Sequence, residues 1–322
     1  MWGKVALAAA LALLGLVVVG VPFLVYWWAK AAKLVPPPAV EATNSASASA
    51  ETWSPSLEPG EQRPDLDKIR REAGEFMEKG RFEEALQRHI WYHQHALESD
   101  AGQTGVRLSF ALSEWVELGQ RYPKARQTLI EIRDRNTRAF AEGRGYFGLF
   151  MDVSSINNYL QEDDATYRLF KRLQKTNPAL ARQCYHVAAD VLVENREYPL
   201  CRGYIGDVAT AFAGLRQNWE WHKKHEERTA QDREEQKKRM EKSQAEMRQK
   251  NPALTAPVPF SPPDSPSYGD SSFVKQTRQL IEILVGVGEK PEAEKVRDQA
   301  VALLDDPRLK SAVADAEKRV GK

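Results

Sequence analysis

Gly80-Arg81-Phe82-Glu83-Glu84-Ala85 is the stretch that decides how this chain folds. A similar turn, Gly-Gln-Arg-Tyr-Pro-Lys-Ala, occupies residues 119–125, and its alanine lies forty positions after Ala85. Ala165 lies forty positions further on, and Cys201, at the end of a Tyr-Pro-Leu-Cys segment, follows it by thirty-six. A period of this length indicates stacked helical hairpins, which bind other molecules more often than they catalyse reactions.

Apolar periodicity places two helices around each of these turns. The predicted helix pairs meet at Gly80, at residues 119–123, at 161–164 and at 195–198. The first helix of the second pair is expected to run unbroken from Val106 to Leu118. A further pair is expected between Phe273 and Leu304. The sequence therefore predicts an all-α fold.

The repeated pattern resembles that of the tetratricopeptide repeat family. A small residue in the first helix is followed by Gly-x-aromatic and then by Ala in the second helix, most closely in residues 80–86. The resemblance covers Leu66 to Asp207 and extends to 273–304, and it implies an α-solenoid of antiparallel hairpins. The chain departs from the family in its period of 36–40 residues, where the family has about 34. A HEAT-type solenoid, with repeats of about 40–47 residues, remains the alternative.

The resemblance also implies a concave groove lined by the first helix of each hairpin. Aromatic side chains there can receive an apolar anchor, and Asn side chains can pair with a peptide backbone. The residues predicted to form this groove are Arg107, Phe110, Glu114, Phe147, Phe150, Asn157, Asn158, His186 and Asp190. The predicted partner is a protein or peptide. The aromatic members of the set have an alternative place in the core, between the hairpins.

The amino-terminal segment predicts a membrane anchor. Residues 5–28 contain no charged side chain, and 24 residues at about 1.5 Å each span a hydrocarbon core of about 30 Å. Trp27 and Trp28 at one end are typical of a membrane interface. A cleaved signal peptide is the alternative, because 29–31 read Ala-Lys-Ala. We expect a single-pass protein of a bacterial inner membrane with its carboxy-terminal domain outside the cytoplasm.

Composition shifts divide the chain into six segments. An anchor (1–33) and a disordered tether rich in Ser, Ala and Pro (34–64) precede the helical repeats (65–217). A charged helical insertion (218–250), with Glu and Lys or Arg spaced four apart, is followed by a proline-rich loop (251–272). A last hairpin (273–322) completes the stack. The insertion is read as a solvated helix that extends the preceding one, with self-association or partner binding as the alternative.

Bulk composition excludes several classes of function. The 322 residues hold 46 basic and 45 acidic side chains, for a net charge of +1, so no overall field favours nucleic acid. The two cysteines, Cys184 and Cys201, are too few for a disulfide framework and are expected to be buried. Oligomeric state is not determined by these features.

No motif for catalysis or cofactor binding stands out. The chain lacks a nucleophile elbow, a phosphate-binding lysine loop and a dinucleotide fingerprint. His89 and His93 have a spacing that suits a metal, as do His222 and His225 more weakly, but aromatic neighbours favour a core role for the first pair. We therefore expect an interaction protein with no catalytic, cofactor or metal site. A metal-dependent or enzymatic protein on the same scaffold, or a HEAT-like protein of envelope assembly, is the alternative.

Overall fold

The computed structural model describes residues 53–57, 60–250 and 267–321, and all regular structure within them is helical. The all-α prediction is confirmed. No helix in these ranges has both the length and the apolar character needed to cross a bilayer. The predicted anchor at 5–28, the tether up to residue 52 and most of the proline-rich loop lie outside the described residues. The chain divides between Asn195 and Arg196 into two compact units.

The first unit contains eight α-helices within residues 60–195. They are α1 (Leu66–Glu78), α2 (Phe82–Ser99), α3 (Thr104–Leu108), α4 (Phe110–Arg121), α5 (Pro123–Ala141), α6 (Phe147–Leu160), α7 (Asp163–Thr176) and α8 (Pro178–Glu194). The pairs α1–α2, α4–α5 and α6–α7 are the first three predicted hairpins, and neighbours in sequence pack on one another. Each first helix also contacts the next, from α1 to α4, to α6 and to α8.

In several hairpins, a residue with a left-handed backbone conformation follows the first helix. A buried small residue lies five positions after it. Gly80 has a φ of 73°, and Arg81 N–H donates to the Phe76 carbonyl at 2.8 Å, which closes the end of α1. The same spacing of five occurs in the pairs Gly80/Ala85, Gln161/Thr166, Arg196/Cys201 and Gly288/Ala293. The prediction that Ala165 is the small residue of the third unit is therefore wrong by one position. Thr166 is buried there, whereas Ala165 is only half-buried.

The second hairpin departs from the predicted pattern at both ends of its first helix. The expected helix Val106–Leu118 is broken at Ser109, where the backbone leaves helical geometry (φ −126°, ψ −87°). The Ser109 hydroxyl donates to the Gly105 carbonyl at 2.6 Å and closes α3. At the other end, α4 continues through Gly119 to Arg121, and Tyr122 makes the turn in extended conformation.

A strap of residues that precede α1 packs on the first hairpin. The ring of Trp53 meets Trp91 edge-on with centroids 6.2 Å apart, and the Arg88 guanidinium lies 3.8 Å from the centre of the Trp53 ring. Arg63 Nη1 donates to the Ser99 carbonyl at 2.7 Å. Trp53 and Arg63, which the predicted tether (34–64) includes, therefore contact the helices of the first hairpin.

A buried ion pair crosses the middle of the first unit. The two terminal guanidinium nitrogens of Arg107 in α3, Nη1 and Nη2, donate to the carboxylate of Asp152 in α6. The distance from Nη1 to Oδ2 is 3.2 Å. Nη1 also donates to the His93 carbonyl of α2 at 3.2 Å. Arg107 is 5% exposed and Asp152 9%. Helices α2 and α3, which are neighbours in sequence, therefore meet the distant helix α6 at one guanidinium group.

The second unit is built around one central helix. Its described helices are α9 (Tyr198–Ile205), α10 (Val208–Lys250), α11 (Tyr268–Gly286), α12 (Lys290–Leu303), α13 (Pro307–Lys310) and α14 (Ala312–Val320). Helices α9, α10, α12, α13 and α14 all pack on α11, whose Ile281 and Leu284 are fully buried. The predicted segment boundaries at 218 and 273 fall inside helices, because α10 begins at Val208 and α11 at Tyr268.

Helix α10 changes character along its length. Its first half packs on α11, where the Trp219 and Phe273 rings lie 5.3 Å apart and Trp219 Nε1 donates to Asp270 at 2.7 Å. Residues 231–243 are exposed, and Lys238 lies 3.9 Å from Glu234 in one of the expected i, i+4 pairs. The charged segment thus continues a packed helix, as the reading of a solvated helix that extends the preceding one predicts.

Trp53→Ala tests the strap. The change removes one aromatic contact and one cation–π contact, so we expect the first unit to lose about 1–2 kcal/mol of unfolding free energy. Amide hydrogen exchange should rise in residues 53–64 and at the Trp91 end of α2. Leu57→Ala, at an exposed position in the same segment, is the control and should leave both quantities unchanged. Unaltered exchange in the Trp53 variant would contradict the packing role.

Substitutions at the buried pair of Arg107 and Asp152 test its contribution to stability. Asp152→Leu leaves the Arg107 charge buried without a counter-charge, and we expect a loss of about 3–5 kcal/mol in unfolding free energy. Arg107→Met combined with Asp152→Leu removes both charges, so most of that loss should be recovered. Denaturant unfolding of the two variants measures the difference. A double variant as unstable as the single one would show that the charge itself is not what matters.

Candidate protein-binding face

The first helices of the first unit leave one side of each helix at the surface. On α6, the surface positions Phe147, Met151, Ser154 and Asn158 follow one another at intervals of four, three and four residues. This spacing places them on a single side of the helix. The opposite side is buried and holds Phe150, Asp152, Val153, Ile156, Asn157 and Leu160.

Phe147 and His186 join the surface of α6 to that of α8. Their ring centroids lie 5.4 Å apart with the planes tilted by 40°. Phe147 is the first residue of α6, because Tyr146 ahead of it is extended (φ −144°, ψ 169°). Desolvation by the surrounding chain lowers the pKa of His186. The imidazole is therefore neutral at neutral pH, and the pair is an aromatic surface rather than a cationic one.

An ion pair joins the equivalent surfaces of α1 and α4. Arg70 Nη2 donates to Glu114 Oε1 at 2.5 Å, and both side chains are half-buried. Burial by itself would lower the pKa of Arg70, but the hydrogen bond and charge of Glu114 raise it above its ordinary value. Glu114 thus lies on the predicted face, with its charge already paired inside the protein.

Three residues predicted to line the groove are buried instead. Arg107 faces Asp152, because the break at Ser109 separates α3 from α4 and turns it inward. Phe150 is fully buried, with Phe140 and Phe170 both meeting it edge-on at 6.2 Å. Arg107 of α3 and Phe150 of α6 both face the interior, so the groove assignment is corrected for both residues.

Asn157 is the third correction. It is fully buried, its Oδ1 accepts from Arg133 Nη1 at 2.9 Å, and its Nδ2 donates to Thr166 Oγ1 at 3.0 Å. Every polar atom of the amide therefore has a partner within the fold, and none is left for a peptide. The neighbouring Asn158, one residue on and about 100° around the helix, is exposed.

Six of the nine predicted residues lie at the surface. Phe110, Glu114 and Phe147 are half-buried, and Asn158, His186 and Asp190 are exposed. Sequence reasoning missed Met151, which lies between Phe147 and Ser154 on α6, and Tyr146, which is 59% exposed. A helical wheel of α6 drawn from Phe147 identifies Met151. The Gly143-Arg144-Gly145 break before Tyr146 is the signal for an aromatic residue left outside the core.

Neither histidine pair forms a metal site in the structure. His89 stacks on Trp115 with centroids 5.8 Å apart, and His93 meets the same ring edge-on at 5.9 Å. Burial, with the nearby charge of Arg70 for His89 and of Arg107 for His93, lowers the pKa of each to about 3. Across the described ranges, no three His, Cys, Asp or Glu side chains are grouped as metal ligands. Glu226, beside the second pair, binds Ser267 and Gly269 at the start of α11.

The buried histidines predict a stability that depends on pH. Their pKa in the folded state, about 3, lies below the ordinary 6.5, so the unfolded chain binds more protons between these values. Stability is therefore complete above pH 6.5 and falls as pH decreases towards 3, by about 1.4 kcal/mol per pH unit for each histidine. His89→Gln should reduce this slope by that amount in denaturant titrations between pH 4 and 6. His95→Gln, on the same helix but half-exposed, is the control; an equal effect of both changes would contradict the assignment.

Comparison of this chain with protein-family models, with curated proteins and with solved structures finds no match in any of the three.

Proposed function

We propose that this protein is a membrane-anchored scaffold that binds a segment of another protein. The binding surface, which we call the front face, consists of Phe110, Phe147, Met151, Asn158, His186 and Asp190 on α4, α6 and α8. Residues 5–28 would hold the chain in a membrane, and the tether would connect this anchor to the helices. The contact between Phe147 and His186 is the observation that carries the proposal, because it joins two helices through aromatic rings at the surface.

The packing of the helices supports one continuous front face. Helix α4 contacts α6, and α6 contacts α8, so their outer sides are neighbours within one unit. An arrangement in which each first helix packs on the next is typical of tetratricopeptide-like solenoids. We therefore propose that the hairpins of the first unit form such a solenoid, with the front face on its first-helix side. Tetratricopeptide-like stacks bind their partners on this side.

The side chains of the front face indicate the chemistry of its partner. The Phe147 and His186 rings, with Met151 beside them, suit one apolar side chain of the partner, since aromatic and Met side chains dominate binding energy at interfaces. Exposed carboxylates lie on two of the front-face helices, at Glu117 of α4 and at Asp190 and Glu194 of α8. The partner is then an extended segment that carries an apolar anchor and Lys or Arg beside it.

Phe147→Ala combined with His186→Ala tests the front face. Peptides of twelve residues are selected by display on the immobilised full-length chain in detergent, and the affinity of the enriched peptides is then measured. Because the change removes the aromatic contact and leaves the buried side of α6 intact, we expect Kd to rise at least tenfold, a loss of about 1.4 kcal/mol.

The matched control lies on the outer side of α5. Gln127→Ala combined with Glu131→Ala changes two exposed residues away from the front face, and it should leave Kd unchanged. The enriched peptides should combine an apolar residue with Lys or Arg. Peptides that bind the Phe147/His186 variant and the unchanged chain equally well would refute this face.

A further inference from the structure

The outer sides of α5 and α7 are strongly basic. Both helices bury an apolar side in the first unit and expose the other. The exposed basic residues, which we call the back face, are Arg126, Arg135 and Arg138 on α5 and Arg168, Arg172 and Lys175 on α7. The carboxylates between them are Glu131 and Asp164, which are exposed, and Asp134, whose side chain is 49% exposed. Six positive charges against three negative ones give this surface a net charge of +3 in a chain whose total is +1.

Most charges of the back face are not neutralised within the fold. Within the part of the chain that the structure describes, Arg135, Arg138, Arg172 and Lys175 have no acidic partner. Arg168 Nη1 lies 3.4 Å from Asp164, and Arg126 Nη2 lies 4.0 Å from Glu162. The four unpartnered residues are consequently available to a negatively charged surface.

The two helices present these residues side by side. Helices α5 and α7 both pack on α6. Arg133 of α5 donates to Asn157 of α6 at 2.9 Å and to Glu162, at the start of α7, at 2.5 Å. The middle of α5 therefore lies beside the beginning of α7. Because α5 ends near the start of α6 and α7 begins near its end, both helices run opposite to α6 and therefore in the same direction, so their exposed sides are neighbours.

We infer that the back face lies against an anionic lipid surface. Guanidinium groups bind phosphate through two parallel hydrogen bonds, and a bilayer presents phosphates as an array over its whole surface. Single-stranded nucleic acid is disfavoured, because base stacking needs exposed aromatic rings. The rings of Phe140 on α5 and Tyr167 on α7 are half-buried, and Lys171 Nζ lies 6.0 Å from the centre of the Tyr167 ring. This inference rests on the proposed membrane anchor, which would bring the helices close to a bilayer, and not on the proposed partner-binding face. The front face would then be free to meet its partner.

The test measures how close the back face comes to lipid. The full-length chain is reconstituted into nanodiscs of phosphatidylcholine alone or with 30% phosphatidylglycerol, with an acceptor dye on the lipid headgroups. Gln127→Cys on the outer side of α5 takes a donor dye, whereas the native Cys184 and Cys201 are buried and do not react. We expect energy transfer to at least double in the anionic discs at 50 mM salt. High salt should abolish the increase, since at 1 M the screening length is about 3 Å.

Charge reversal identifies the residues responsible. The quadruple variant R135E/R138E/R172E/K175E should lose the increase. The control K237E/K238E/R239E/K242E makes the same change in net charge on the exposed part of α10, and it should retain the increase. Circular dichroism verifies that both variants remain helical.

Each outcome decides the proposal. Equal energy transfer in neutral and anionic discs, or loss of the increase in the α10 control, overturns it. Binding of poly-glutamate that the back-face reversal abolishes, without any lipid effect, would replace lipid by an acidic protein. A chain that does not insert into neutral discs would remove the anchor from the proposed function. The difference between anionic and neutral discs would still report on the back face.

Discussion

The buried pair of Arg107 and Asp152 constrains the whole first unit. The guanidinium group holds α3 against α6, and through the His93 carbonyl it also holds α2. A buried ion pair contributes little net stability, but it strongly disfavours any arrangement that separates the two charges. Asp152 must point inward, and this sets the rotation of α6 about its axis. Phe147, Ser154 and Asn158 lie on the other side of the helix for this reason.

The two proposed surfaces follow from that rotation and from the alternation of the helices. The first helices turn their polar and aromatic side outward, and the carboxylates Asp190 and Glu194 lie there. The second helices α5 and α7 turn outward a side that holds mainly Arg and Lys. Charge that is balanced over the chain is therefore unevenly distributed over this unit, with basic side chains in excess on α5 and α7, although Arg182 of α8 is also exposed. Such a distribution suits a protein that must bind a partner on one side and a phosphate surface on the other.

Much of the fold was predictable from local pattern, because helix ends and apolar stripes depend on neighbours in sequence. Gly80 predicts the end of α1, and the turn before Ala125 predicts that between α4 and α5. The one-residue shift from Ala165 to Thr166 was not predictable, since Gln161 takes the left-handed turn that glycine makes elsewhere. The docking of Trp53 was also missed. Its Ser- and Pro-rich surroundings lack periodicity, and its partners Arg88 and Trp91 lie more than thirty residues away.

Six of the nine residues proposed for binding are at the surface, and the three exceptions have a common cause. Arg107, Phe150 and Asn157 are of types that suit either a binding groove or a satisfied interior. The sequence by itself determined that the chain is all-α, where its hairpins turn and which side of each helix is apolar, because these properties depend on side chains within a few residues. Only the tertiary structure decided which polar groups are buried and hydrogen-bonded within the fold. Long-range packing alone brings Asp152 within hydrogen-bond distance of Arg107. It likewise brings Arg133 and Thr166 within hydrogen-bond distance of Asn157.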